Sequence, residues 1–274
     1  NLQAQSLEGD SWEVVKEQGY GEITVHYLPV GQFSYTDENE ELTGVEIDIF
    51  KFFVNYVENS RNVELEVNWV EAEDNFPQFY DSIQKAPNGV FGLGTVSILP
   101  KRKEKVLFSP PYINNLVVLV SHSSVPDLKS LVQADQIFDS MEGVIVPETN
   151  VEKWMNDFKR KYMTDLTFKT VLSQLDAIEL IKSNGSEYFS YIDLSIFWPQ
   201  KQKGAPIKRH PAGDLKSEKF GFIMPLESDW KPLIDEFFEL GSGFRSNPAY
   251  RKILIEHLGP EFANMLRIAR STEN

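Results

Sequence analysis

The chain has 274 residues, 27 Lys+Arg against 41 Asp+Glu for a formal charge of −14, and no Cys. At about 150 residues per domain the length suits two compact units, and the acidic balance argues against a broad basic face for nucleic acid or anionic lipid. Zero Cys excludes a disulfide framework, a thiolate nucleophile and a thiolate metal site. Composition is otherwise ordinary for a globular chain, with 41% hydrophobic and 25% charged residues.

Asn1-Leu2-Gln3-Ala4-Gln5 reads either as what remains after signal-peptide removal or as an arbitrary start. Glu22–Tyr27 alternates with period two and predicts a strand, and a short one follows at Gln32–Tyr35. After the turn residues Thr36–Glu40 and Gly44, Val45, Ile49, Phe52, Phe53 and Tyr56 recur at helical spacing. Val63–Val70 predicts a strand, Phe76–Gln84 a helix and Val90–Val96 a glycine-rich strand, an alternation that indicates an α/β sheet. Asn115–Ser121 predicts a long strand whose aliphatic run, Leu116–Val120, is far shorter than the roughly 20 residues of a membrane span.

The pattern then restarts. Gly143–Val146 predicts a strand, Thr149 or Asn150 an N-cap, Val151, Trp154, Met155 and Phe158 a helical face, Leu172–Ile181 a second helix, and Tyr188–Ile192 a strand ending in Asp193. Lys201–Lys219 reads as a surface loop and Phe220–Met224 as a strand. Two helices close the chain, over about Asp229–Leu240 and from the Asn247-Pro248 start, before a fraying 271–274. The expected division is 1–120 with 220–274, and 121–219.

His26, His122, His210 and His257 are scattered without metal-ligand spacing, so no metal or other cofactor is expected. Gly92-Leu93-Gly94 lacks the rest of a dinucleotide fingerprint and reads as close approach at a sheet edge. Asp37, Asn39 and Glu41 have calcium-loop spacing, but Leu42 stands where Gly is required, which leaves a solvated hairpin turn. The informative stretch is Thr95-Val96-Ser97-Ile98-Leu99-Pro100-Lys101-Arg102. A strand ends in hydroxyl residues and a short helix carries an arginine, a donor set suited to a carboxylate.

This stretch, continued through Val106-Leu107-Phe108-Ser109-Pro110-Pro111-Tyr112, resembles S/T-I-T-x-x-R-x-x-x-V-D-F-S-x-P-Y of the family 3 periplasmic solute-binding proteins and ionotropic glutamate receptor ligand cores. Phe33-Ser34-Tyr35 with Gly44-Val45-Glu46-Ile47-Asp48-Ile49 is similar to the family's P-F-x-y and G-f-D-v-D-l segments. Val144–Asn150 is similar to V-G-v-x-x-G-T-T, and Tyr191-Ile192-Asp193 to d-A-v-x-D. The four segments follow the family's order over about residues 18–260.

The resemblance implies a two-lobed periplasmic binding protein type II fold, α/β, with two crossings and a ligand cleft between the lobes. Carried over by position, it implies that Arg102 clamps an α-carboxylate with Ser97 and the Thr95 backbone, that Thr149 and Asn150 reach it from the other lobe, and that Asp193 pairs with an α-amino group. The alternative for Asp193 is the N-cap of a helix over Leu194–Trp198. Tyr27 and Phe76 match positions that contact the ligand side chain in amino-acid-binding relatives, and each reads equally as core. Leu99, Leu107 and Glu148 depart from the usual Thr, Asp and Gly, and Glu148 stands where it would intrude on the carboxylate or read a basic group. The expected function is non-enzymatic capture of a small amino acid or related carboxylate for an ABC-type transporter, by a free periplasmic monomer. The alternatives are a sensor using the same site, and a lyase like the cyclohexadienyl dehydratases with Glu148 as its working carboxylate.

Overall fold

A computed structural model describes residues 7–72, 76–215, 219–241 and 243–271; the readings made for 1–5 and 272–274 lie outside them. The chain folds as two units, Asn1–Asn114 with Glu218–Asn274, and Asn115–Ser217.

The first unit opens with α1 (Trp12–Gln18), a short helix that the sequence reading omits. Ser11 accepts the Val14 N–H at its start, and Gly19 closes it in the left-handed region at φ 78°. There follow β1 (Tyr20–Tyr27), β2 (Tyr35–Thr36), β3 (Leu42–Thr43), α2 (Val45–Arg61), β4 (Glu64–Glu71), α3 (Phe76–Lys85), β5 (Val90–Leu93), α4 (Pro100–Lys103), β6 (Leu107–Phe108) and β7 (Ile113–Asn114). The strand expected at Gln32–Tyr35 is displaced to β2, because Phe33 and Ser34 lie in a turn where the Ser34 hydroxyl donates to the Leu28 carbonyl. Asp37 caps the β2–β3 hairpin by accepting the N–H groups of Asn39 at 2.8 Å and Glu41 at 2.9 Å, as a solvated turn requires.

The second unit comprises β8 (Val117–His122), α5 (Ala134–Ile137), β9 (Glu142–Ile145), α6 (Asn150–Tyr162), β10 (Phe168–Thr170), α7 (Gln174–Ser183), β11 (Tyr188–Asp193), α8 (Leu194–Gln202) and β12 (Ile207–Arg209). The chain then returns to the first unit with β13 (Lys219–Phe220), β14 (Ile223–Met224), α9 (Lys231–Glu239), α10 (Pro248–Leu258) and α11 (Pro260–Ser271). The sequence reading places the first division at 120/121. The observed division at Asn114/Asn115 puts all of β8 in the second unit, where it pairs antiparallel with β11 from Val117 to Ser121 and with β12.

The first sheet has the order β4-β1-β5-β14-β6, with β1 parallel to β4 and β5, and β14 antiparallel to β5 and β6. The tract read as one strand over Phe220–Met224 is thus two, since Lys219–Phe220 pairs with β7 while Ile223–Met224 enters this sheet. Helix α2 lays Ile49, Phe50, Phe53 and Val57 on the sheet, and Phe50 meets Phe91 edge-on at 5.0 Å. Phe52, assigned to that face from its spacing, is 42% exposed at its margin.

The second sheet has the order β10-β9-β11-β8-β12, with β9 parallel to β10 and β11. Its core stacks Phe138 on Phe189 at 4.3 Å, with Phe158, Met155 and Tyr191 around them. Strand β12 lies inside the tract read as surface loop; one buried residue, Ile207, holds its three-residue edge. His210 follows it, buried, accepting the Leu128 N–H at 3.1 Å and bonded to Ser121 Oγ at 2.7 Å. Among the described residues no helix is long and apolar enough to cross a membrane.

Candidate functional site

Ligands of open α/β sheets bind beyond the carboxyl ends of the parallel strands, where loops and helix starts leave backbone groups unpaired. In the first unit that edge carries Tyr27, Glu71 and the segment after Leu93, because Tyr27 is in register with both Glu71 of β4 and Leu93 of β5. Strand β5 stops at Leu93 rather than running to Val96, and Thr95 turns into the left-handed region at φ 50°. That conformation is costly for a β-branched residue, so something must hold it.

Arg102 stands on α4. One Nη donates to the Ser97 carbonyl at 3.2 Å, the guanidinium lies over the Phe76 ring at 4.8 Å with Tyr80 at 5.9 Å, and Tyr80 donates its hydroxyl to the Arg102 carbonyl at 3.1 Å. Phe76 and Tyr80 stack with centroids 5.9 Å apart, one turn apart on α3. Helix α3 therefore presents an aromatic shelf that orients the arginine. Ser97 is buried beside it. Tyr27 is also buried and donates its hydroxyl to Glu71 at 3.2 Å; burial and this carboxylate push its phenol up to about 12. The structure thus brings Arg102, Ser97 and Phe76 together, and pairs Tyr27 with Glu71, a residue the sequence reading did not single out.

In the second unit the matching edge carries the segment after β9 and the end of β11. Asp193 terminates β11 and occupies the N-cap position of α8, as its alternative reading has it, yet its side chain makes no cap bond. Its carboxylate instead receives Asn115 Nδ2 at 2.5 Å and Gln174 Nε2 at 2.6 Å, while its own N–H donates to Gln174 Oε1 at 2.7 Å. Protein packed around it pushes the carboxyl above its ordinary value, and the two amides pull it back only in part. Asn115 and Gln174 had no motif to mark them.

Thr149 precedes α6 with its hydroxyl given to the Val146 carbonyl at 2.7 Å, and Asn150 begins the helix. Glu148 is exposed and left-handed at φ 61°, with its N–H donated to Glu152 at 2.9 Å. Its position is the one where the resembling segment carries glycine, which takes that conformation without steric cost.

Beneath the first of these edges lies a residue that the sequence reading quoted but did not place in the site. Glu46, in the first turn of α2, is fully buried, and one of its oxygens receives the Tyr112 hydroxyl at 2.6 Å and the N–H groups of Thr95 at 3.1 Å and Gly94 at 3.3 Å. A Glu in a first helical turn is normally solvated, so nothing but the company of Gly44 could have marked it. Among the described residues no cluster of His, Asp and Glu is arranged for a metal ion.

A family model for bacterial extracellular solute-binding proteins, family 3, matches residues 24–253. Among solved structures, an ancestral arginine-binding protein bound to arginine is 20% identical, with 87% of this chain and 98% of that chain covered at a TM-score of 0.63. The second substrate-binding domain of GlnP from Lactococcus lactis, in an open conformation, is 20% identical over 86% and 95% at 0.62. The ligand-binding core of a glutamate receptor from Nostoc punctiforme, in complex with L-glutamate, is 14% identical over 87% and 100% at 0.62. At these identities the likeness is one of fold. No curated protein sequence matches the chain significantly.

Proposed function

Since the chain belongs to the bacterial extracellular solute-binding proteins, family 3, we propose that it captures a small α-amino acid or a closely related carboxylate in the periplasm and supplies an ABC-type membrane transporter. The observation that carries this reading is Asp193, a half-buried carboxylate held by two neutral amides, with no Lys or Arg hydrogen-bonded to it among the described residues. Withdrawing a carboxylate partly from water without a cation has a cost, and an arriving ammonium group removes it while gaining strength as it too leaves water. Arg102, oriented by Phe76 and Tyr80, supplies the complementary group for a carboxylate, with Ser97, Thr95, Thr149 and Asn150 as further donors. Arginine, glutamine and glutamate appear in the solved structures similar to this chain, which supports the amino-acid class without selecting a member. Glu148, on which the lyase alternative depends, is exposed, and no observation favours that reading.

The test is a thermal-shift screen against the twenty amino acids, small dicarboxylates and prephenate, after partial unfolding and dialysis to remove carried-over ligand. A true ligand at 100 times its Kd stabilises by about 2.7 kcal/mol, a shift of several degrees at this chain length. An α-amino acid is expected to shift the wild type and to leave Arg102→Ala and Asp193→Ala unshifted. No shift by any amino acid or dicarboxylate, or a shift that persists equally in both variants, removes the reading.

A further inference from the structure

The segment 94–97 is held from behind by a carboxylate. Three donors converge on one oxygen of Glu46, from Gly94, Thr95 and Tyr112, while the other oxygen is buried and finds no hydrogen-bond partner among the described residues. Both N–H groups committed to Glu46 belong to the residues at which the chain leaves β5 and Thr95 takes its left-handed conformation. The strain at Thr95 therefore has its restraint in Glu46. Tyr112, the third donor, lies just before β7. Glu46 thus ties the end of β5 to the segment that leads out of the first unit.

The same geometry decides where a proton can sit. The triply bonded oxygen is an acceptor in either protonation state, so a proton on Glu46 occupies the other oxygen, which ionisation would leave charged, buried and unsolvated. No positive side chain is among the influences on this carboxyl; burial raises it to about 7 against the pull of its three hydrogen bonds. Among the described residues Tyr112 is the titratable group hydrogen-bonded to it, and Tyr250 of α10 donates to the Tyr112 carbonyl at 2.6 Å. On α2 itself, Asp48 is engaged by His257 of α10 at 2.7 Å, and His257 also meets Tyr35 at 3.1 Å.

We propose that Glu46 is a positioning residue for the segment 94–97 and that it makes ligand capture proton-linked, the carboxyl becoming fully protonated when a ligand carboxylate docks on the outer side of that segment. The proposal deepens the functional reading above, since it takes Thr95 and Ser97 to receive the carboxylate. Two carboxylates separated by one peptide layer do not both stay ionised cheaply. Capture therefore draws a proton onto Glu46 from solvent, and by linkage affinity is constant in mild acid and falls as pH rises past the midpoint.

Calorimetric titrations with L-arginine and L-glutamine between pH 5.5 and 8, in buffers of different ionisation enthalpy, read this directly. Wild type is expected to take up a fraction of a proton near pH 7 and to lose affinity above it, at up to tenfold per pH unit. Glu46→Gln is expected to bind with no uptake and a flat profile, and Tyr112→Phe, which removes a donor from the ionised form, to move the midpoint upward. Equal uptake in wild type and Glu46→Gln, or binding by wild type with no uptake, overturns the proposal while leaving the functional reading intact. If wild type binds neither probe, the functional reading is decided separately by the thermal-shift screen. The clamp is then judged from the Gly94 and Thr95 amide resonances of the ligand-free protein: a titration near pH 7 that Glu46→Gln abolishes supports it, and pH-invariant amides overturn it.

Discussion

Glu148 and Thr95 both occupy left-handed backbone, at φ 61° and 50°, but the two positions are built differently. Thr95 is braced by the buried Glu46, whereas Glu148 is exposed and held by one hydrogen bond from its N–H to Glu152. The strain at Glu148 thus has little to offset it, and glycine would relieve a cost of about 1–2 kcal/mol while adding roughly 0.5–1 kcal/mol of unfolded-chain entropy. Glu148→Gly is expected to raise stability by about 0.5–1 kcal/mol in urea titration, and a loss would show that the Glu148 side chain makes a compensating contact. This is also the scale at which the sequence is least legible. Arg102 and Asp193 stand out because their neighbours spell a pattern, while Asn115, Gln174 and Glu46 act through partners 78, 19 and 49 positions away, separations that no local window spans.

Helix α2 shows how a single residue places an element. Gly44 precedes it at φ 126°, and a Cβ there would come within 2.4 Å of the Phe33 carbonyl oxygen, a backbone atom that cannot swing aside. Gly44→Ala is therefore expected to cost roughly 2–4 kcal/mol in urea unfolding, and to loosen the first turn of α2, where Glu46 sits. A cost within 0.5 kcal/mol would mean that the hairpin before the helix can shift freely. Elements with strong periodicity, β1, β4, α2, α6 and α10, begin within a residue or two of where the sequence places them because burial on one face enforces the pattern. Helix α1 was not, as only Val15 of its seven residues is buried, although its Ser11 and Gly19 caps were in view. Strand β12 hid among lysines because its pairing, to β8, is made by the backbone.

At the scale of the molecule, two buried titratable groups act in opposite directions over nearly the same pH range. Glu46 in the first unit is raised from 4.5 to about 7, so the folded state holds its proton after the unfolded chain has lost it. Stability from this group is full below pH 4.5 and falls up to about pH 7, by an amount of order 3 kcal/mol. His210 in the second unit is lowered from 6.5 to about 4 by burial, so its contribution is full above pH 6.5 and is lost as pH falls toward 4. Glu46→Gln is expected to make the melting temperature climb with pH between 4.5 and 7, and His210→Gln to make it decline. Unchanged slopes in either variant would mean that the group titrates alike in both states. The chain order carries a consequence for synthesis. Strand β14 separates β5 from β6, yet it lies more than a hundred residues beyond them, after the whole of the second unit. A growing polypeptide can complete the inserted unit while the sheet around it still lacks an interior strand, and that sheet closes only once residues 223–224 are free of the ribosome. A contact so distant in sequence folds slowly, which leaves the first sheet without its β5-to-β6 link until synthesis is nearly complete.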